Sequence, residues 1–142
     1  EELNLQFLPT EQNFVKLHKT VEEILTHSNI GGIKRNVIPP AIYEAIHIFS
    51  AGITDNPMKI KIARSHRYLG FYCTTPEKSY GYQSFLASIS QRMEKEFGHA
   101  PAQTQTQMFE PEEIAMSLIL KAFDRIEMFR FSKEIALFHF FV

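Results

Sequence analysis

The sequence is poor in the residues that mark specialised protein classes, with one cysteine and no tryptophan in 142 residues. A single cysteine, Cys73, cannot close an intrachain disulfide, which argues against a disulfide-framed secreted domain. The six histidines never stand four residues apart and no second cysteine accompanies Cys73, so no zinc-type spacing is present. We therefore predict neither a metal site nor a cofactor.

Long apolar runs and an excess of charge are also absent. No stretch reaches the roughly 20 apolar residues that a transmembrane helix requires, and the first residues do not have the pattern of a signal peptide. The formal net charge is −1, which disfavours nucleic acid and membrane surfaces as general partners. Together with the single cysteine, these features lead us to expect an intracellular, cytoplasmic protein.

The residues that are present are typical of a globular domain: 44% are hydrophobic, 22% are charged and thirteen are phenylalanine. A chain of this length fits one domain that buries roughly two-thirds of its unfolded surface. We predict a single globular domain over residues 1–142. Because the sequence starts at Glu1 and ends within the apolar run FHFFV, we expect it to be excised from a longer protein.

The most apolar stretch runs from Glu110 to Phe131 and predicts a central helix. Its apolar residues cover most of a helical circumference, so a helix here must be covered on several sides by other elements. Only a narrow polar strip remains, which consists of Glu113, Ser117, Lys121 and Asp124. We expect the other helices to pack around this one.

Two more helices are predicted in the first third of the chain. The first follows Thr10, a good capping residue, and ends near Gly31. The second is short and begins at Pro40, because Pro39 disfavours helix in the residue before it and keeps residues 33–38 extended.

A further helix is predicted between the hairpin described below and the apolar stretch. It begins at Thr75 or at Ser79, and the second start keeps Gly81 out of the helix. Gly98 ends it. The following residues 99–108, HAPAQTQTQM, are a polar repeat that we interpret as a flexible loop.

Two runs of alternating residues predict a β-hairpin near residues 58–74. Shorter alternations near 3–8 and 135–141 predict terminal strands that extend the sheet. The fold class is therefore predicted as α+β, with about four helices packed around a central helix near 111–131. The alternative is a mostly α fold with one hairpin. The apolar residues of the hairpin that would face the core are Met58, Ile60, Ile62, Leu69, Phe71 and Cys73.

The hairpin also carries the constellation that we interpret as a binding site. Residues 34–78 hold seven lysines and arginines against three acidic residues, and most of these cations belong to the hairpin. Lysine and arginine attract anions, and tyrosine adds rigid contact area. The alternative is an ordinary solvated sheet face. The predicted binding residues are Lys59, Lys61, Arg64, His66, Arg67, Tyr68 and Tyr72.

No motif names a reaction, so the first functional hypothesis is a non-catalytic interaction module. It would bind an acidic protein surface or a phosphorylated ligand through the hairpin. A protein partner is expected first, with a phosphorylated small ligand or a lipid headgroup as the alternatives.

Two other hypotheses remain. A small cysteine-dependent hydrolase or transferase would use Cys73 with a distant histidine such as His99 or His139. The alternation points Cys73 toward the core, however, where a free cysteine packs as a small hydrophobe. A scaffold domain would instead self-associate through its apolar C-terminus, if that strand were an open edge.

Overall fold

A computed structural model describes residues 2–51, 56–76, 79–97 and 111–141 of the chain. These residues form four helices and five strands. The loop predicted over residues 99–108 lies outside the described residues. In chain order the elements are β1 (Glu2–Phe7), α1 (Glu11–His27), α2 (Gly32–Phe49), β2 (Met58–Arg64), β3 (Tyr68–Thr74), α3 (Gly81–Phe97), α4 (Pro111–Ala122), β4 (Arg125–Phe129) and β5 (Glu134–Phe140).

The five strands form one antiparallel sheet in the order β1-β2-β3-β5-β4. One side of the sheet and the inner sides of the helices share a single hydrophobic core. The class is α+β, and the mostly α alternative is wrong because the sheet has five strands rather than one hairpin. The hairpin and both terminal strands lie close to the positions that alternation predicts.

The predicted helix over residues 111–131 is wrong in its second half. Helix α4 ends at Ala122, and residues 125–129 form the edge strand β4. The Nζ of Lys34 donates to the carbonyls of Lys121 and Ala122, both at 3.0 Å. These carbonyls belong to the last turn of α4 and would otherwise have no hydrogen-bond partner within the helix. The N–H of Asp124 then donates to the carbonyl of Phe138 at 2.7 Å, which starts the pairing of β4 with β5.

The centre of the helical layer is α2 rather than α4. Helix α2 packs against α1, α3 and α4, so the prediction of four helices around the apolar stretch near 111–131 is wrong. The burial of α2 is spread around its circumference, as a central helix requires. Its buried residues are Ile38, Pro39, Ala41, Ile42, Ala45, Ile46 and Phe49.

Helix α2 also overrides the local effect of its two prolines. We predicted that residues 33–38 are extended, but the helix runs through Pro39 and Pro40. Two backbone hydrogen bonds are lost there. Tertiary contacts hold the first turns in place: Arg35 Nη2 donates to Glu22 Oε2 and to Thr26 Oγ1 on α1, both at 2.8 Å, and Ile38 is fully buried.

The start of α3 lies nearer the second of the two predicted positions, but Gly81, which that start was expected to keep out of the helix, is its first residue. Ser79 Oγ accepts from the N–H of Gly81 at 3.1 Å and donates to the carbonyl of Ala51 at 3.0 Å. The helix therefore begins against the end of α2. A Cβ on Gly81 would lie 1.8 Å from the carbonyl oxygen of Phe49, so this close approach requires glycine.

Candidate binding face

The described helices cover one side of the sheet only. Apolar residues at alternate positions of β2 and β3 point toward them and are buried. The intervening residues lie on the other side, which we call the open face. On the three central strands it consists of Lys59, Lys61, Ala63, Tyr68, Gly70, Tyr72, Thr74, Glu134, Ala136, Phe138 and Phe140.

The seven predicted binding residues divide into three groups. His66 and Arg67 are exposed in the turn between β2 and β3. Arg64 points to the helical side instead, where its Nη1 donates to Ser28 Oγ at 3.3 Å, so it does not share a surface with the lysines. Four residues lie on the open face: Lys59, Lys61, Tyr68 and Tyr72. Their role in binding stays a prediction.

Two rows of polar side chains cross the open face from β1 to β3. Neighbours within a row are about 4.8 Å apart and the rows are about 6.6 Å apart, from the spacings of a β-sheet. The rows border a depression of about 440 Å³ that Glu134 also lines. We call the six residues the lysine grid: Asn4, Lys61 and Tyr72 in one row, and Gln6, Lys59 and Thr74 in the other.

Sequence reasoning missed part of this grid. Asn4, Gln6 and Thr74 are absent from the predicted site, although alternation predicts strands at all three positions. The missing information is the register, because β1 and β2 are separated by two helices in the sequence. A sequence signal for polar residues on β1 exists only as the alternation of Asn4 and Gln6 with leucines.

The charges of the grid are partly compensated. Lys61 Nζ lies 4.2 Å from the centroid of the Tyr72 ring, a cation–π contact. Lys59 forms no ion pair within the described ranges. Glu134 accepts the hydroxyl of Thr74 at 3.0 Å and places one negative charge beside the lysines.

Tyr72 is held as a hydrogen-bond donor. Burial, the neighbouring Tyr68 hydroxyl and the carboxylates of Glu134 and Glu127 raise the pKa of Tyr72 to about 12. The hydrogen bond with Tyr68 is one that the Tyr72 O–H donates, so the phenol is oriented toward the aromatic residues of β3.

An aromatic cluster adjoins the grid on β3 and β5. The ring of Phe138 meets Tyr68 and Tyr72 edge-on, at centroid distances of 5.3 and 5.6 Å, and lies parallel to Phe140 at 6.3 Å. Gly70 lies beneath the rings of Tyr72 and Phe138, since a Cβ at this position would be 3.0 Å from Tyr72 and 3.3 Å from Phe138. The open face thus combines anion-binding groups with an apolar surface.

Cys73 is a buried core residue. Its side chain is 1% exposed, and its Sγ packs 3.7 Å from the sulfur of Met58. Burial, with a smaller effect from Glu134, raises the pKa of the thiol well above its usual range. Cys73 pairs with Ile135, four residues along β5 from His139, a separation of about 13 Å. These observations disfavour the cysteine-enzyme hypothesis; His99 lies outside the described residues.

A charged cluster joins the ends of α4, β4 and β5. Asp124 accepts from Lys34 Nζ at 3.3 Å, from His139 Nδ1 at 3.2 Å and from the backbone N–H of Phe140 at 2.8 Å. Partial burial alone would raise the pKa of Asp124, but the hydrogen bond from Phe140 and the charge of Lys34 outweigh it and lower that pKa. These contacts make the cluster structural.

The lowered pKa of Asp124 predicts a pH dependence of stability. A carboxylate with a depressed folded-state pKa contributes stability above its unfolded pKa of about 3.9 and loses it as the pH falls through the folded value. Urea unfolding of wild type and Asp124→Asn should therefore show a difference in unfolding free energy that shrinks below about pH 4. A difference that stays constant down to pH 2 or so would show that the charge of Asp124 is irrelevant.

A second, wider depression of about 790 Å³ lies between α2 and α3. Its histidine, His47, stacks on Phe14 at 5.1 Å and meets Tyr43 edge-on at 4.5 Å. The hydroxyl of Ser88 donates to the carbonyl of Ser84 in its own helix. The His47 ring and the Ser88 hydroxyl of this groove thus take part in structural contacts.

The C-terminal strand is not an open edge. Strand β5 is paired with β3 on one side and with β4 on the other. Its backbone between Glu134 and Phe138 is therefore closed to a second chain. Self-association through the C-terminus stays a prediction.

The described residues contain neither a helix long and apolar enough to cross a membrane nor a group of three potential ligands that could hold a metal ion. No family model matches this sequence, and no curated protein is similar enough to it to be matched.

Proposed function

We propose that this chain is a non-catalytic binding module that takes a phosphorylated ligand on the open face of its sheet. The observation that carries the proposal is the lysine grid. It places Lys59 and Lys61 on one strand, with the amides of Asn4 and Gln6 on one side and the phenol of Tyr72 on the other.

The chemistry of the grid suits a phosphoryl group. A phosphate has three oxygens that accept charge-assisted hydrogen bonds, and each lysine ammonium has three donors. The amides of Asn4 and Gln6 add neutral donors around the same depression. A single carboxylate has only two oxygens and would leave more of these donors without a partner.

Calorimetric titration with inositol hexakisphosphate tests the proposal. Binding should weaken from low to high salt, because the lysines lie at the surface and are screened. Polyglutamate of similar charge is the comparison, and tighter binding of polyglutamate would assign the face to an acidic protein surface. Absence of binding by both compounds would refute an anion-binding function.

Replacing Glu134 with glutamine should tighten binding of the phosphate compound. The amide keeps an oxygen to accept the Thr74 hydroxyl but removes the negative charge that lines the depression. We expect an affinity gain of about fivefold, or about 1 kcal/mol, as for a partly exposed charge pair. Glu44→Gln on α2 is the matched control and should leave the affinity unchanged; an equal gain in both variants would indicate net charge alone.

A further inference from the structure

The lysine grid continues into the aromatic cluster through the ring of Tyr72, which contacts both Lys61 and Phe138. Gly70 and Ala136, between them, are buried, and the rings of Tyr72 and Phe138 lie over Gly70. Phe140 at the far end of the cluster is 39% exposed. A partly exposed apolar ring on the same face as two lysines suits a ligand with both an anionic and an apolar group.

The sheet geometry sets the distance between these two groups. Lys61 pairs with Tyr72, and Phe138 pairs with Gly70 two residues along β3. Two interstrand steps of about 4.8 Å run at right angles to one two-residue step of about 6.6 Å along the strand. Together they separate the Cα atoms of Lys61 and Phe138 by about 12 Å along the diagonal. The corresponding distance to Phe140 is about 16 Å. An extended peptide spans these distances in about four or five residues.

We infer that the ligand is an extended segment of a partner protein that carries a phosphorylated residue and, about four residues away, an aromatic or large aliphatic side chain. The inference rests on the proposed function and adds the class of ligand to it. The phosphoryl group contacts Lys59 and Lys61, and the apolar side chain packs on Phe138 and Phe140.

The mixed charges of the open face favour a singly phosphorylated peptide over a nucleic acid. The open face places Lys59, Lys61 and Arg125 beside Glu2, Glu127 and Glu134, and Arg125 Nη2 is already 2.7 Å from Glu127 Oε1. A strand with one phosphate per nucleotide would meet these carboxylates as well as the lysines. A peptide with one phosphoryl group needs only the grid.

Fluorescence anisotropy with labelled nonapeptides tests the inference. The parent peptide carries phosphoserine with phenylalanine four residues after it, and a second version has the order reversed. Two comparison peptides replace the phosphoserine by serine or the phenylalanine by alanine. We expect each replacement to weaken binding about tenfold, because each removes one of the two anchors.

Variants of the protein assign the anchors. Phe140→Ala and the milder Phe138→Leu should abolish most of the difference between the phenylalanine and alanine peptides and leave the response to inositol hexakisphosphate unchanged. Tyr43→Ala on α2 is the exposed-aromatic control and should preserve that difference. A circular dichroism spectrum and melting curve establish that each variant is folded.

The outcomes separate this inference from the function on which it rests. Equal binding of the phenylalanine and alanine peptides in both orders, with inositol hexakisphosphate still bound, would overturn the peptide inference alone. Tighter binding of a single-stranded oligonucleotide than of either phosphopeptide would also overturn it. Loss of binding by every anion would overturn both.

Discussion

Replacing Gly81 with alanine is expected to destabilise the protein by about 3 kcal/mol or more. The new Cβ would lie 1.8 Å from the carbonyl oxygen of Phe49 and 2.5 Å from its carbonyl carbon. Both are backbone atoms at the end of α2, and the Phe49 ring is fixed edge-on against Phe85 at 6.0 Å. Relief therefore requires a shift of α3 against the central helix.

Urea unfolding monitored by circular dichroism measures this effect. Gly31→Ala is the matched control, because nothing lies within 4 Å of a Cβ there and its φ of −128° is accessible to alanine. The Gly31→Ala substitution should lower the free energy of unfolding by less than about 1 kcal/mol, since only the N-cap of α2 changes. Equal stabilities of Gly81→Ala and wild type would show that α3 does not pack as described.

Reversing both lysines of the grid, as Lys59→Glu together with Lys61→Glu, is expected to abolish binding of the phosphate compound. Each lysine contributes a charge-assisted contact of about 1.5 kcal/mol or more, so their loss amounts to at least about a hundredfold in affinity. The new carboxylates would add repulsion with Glu134, which already lines the depression.

Calorimetric titration of this double variant needs a control with the same net charge. Lys16→Glu with Lys19→Glu changes two exposed lysines of α1, in the helical layer. The control should bind within about twofold of wild type, allowing only for screened long-range attraction. If both double variants lose binding equally, net charge rather than the grid governs the interaction.

Local periodicity was sufficient to predict the hairpin, because both of its strands and their turn lie within residues 58–74. Alternation assigns Met58 and Cys73 to the core side and Lys61 and Tyr72 to the other, and the register agrees. The same criterion failed near residues 125–129. There Arg125 and Glu127 alternate with Ile126 and Met128, but the preceding apolar run satisfies a helix equally well.

The errors at α2 and at Arg64 have a common cause in tertiary contacts. The rule against helix before Pro39 is local, whereas the anchoring of Arg35 to Glu22 and of Lys34 to the end of α4 is not. Arg64 is one step further along the alternation than Ile62 and therefore faces the helices. Treating it as a tip residue overlooked the length of β2.

The candidate site was only partly accessible from sequence for a physical reason. Lys59, Lys61, Tyr68 and Tyr72 come from one hairpin and follow from its period. Asn4, Gln6, Phe138 and Phe140 reach the same face from strands at the two ends of the chain, and only the strand order and register bring them together.

Backbone amide NMR during titration with inositol hexakisphosphate tests most directly that the open face is the binding surface. Salt-sensitive shifts should cluster at residues 4–6, 59–61 and 72–74, which form the lysine grid. Shifts confined instead to the groove between α2 and α3, around Tyr43, His47 and Ser84, or no shifts at all, would contradict an anion site on the sheet.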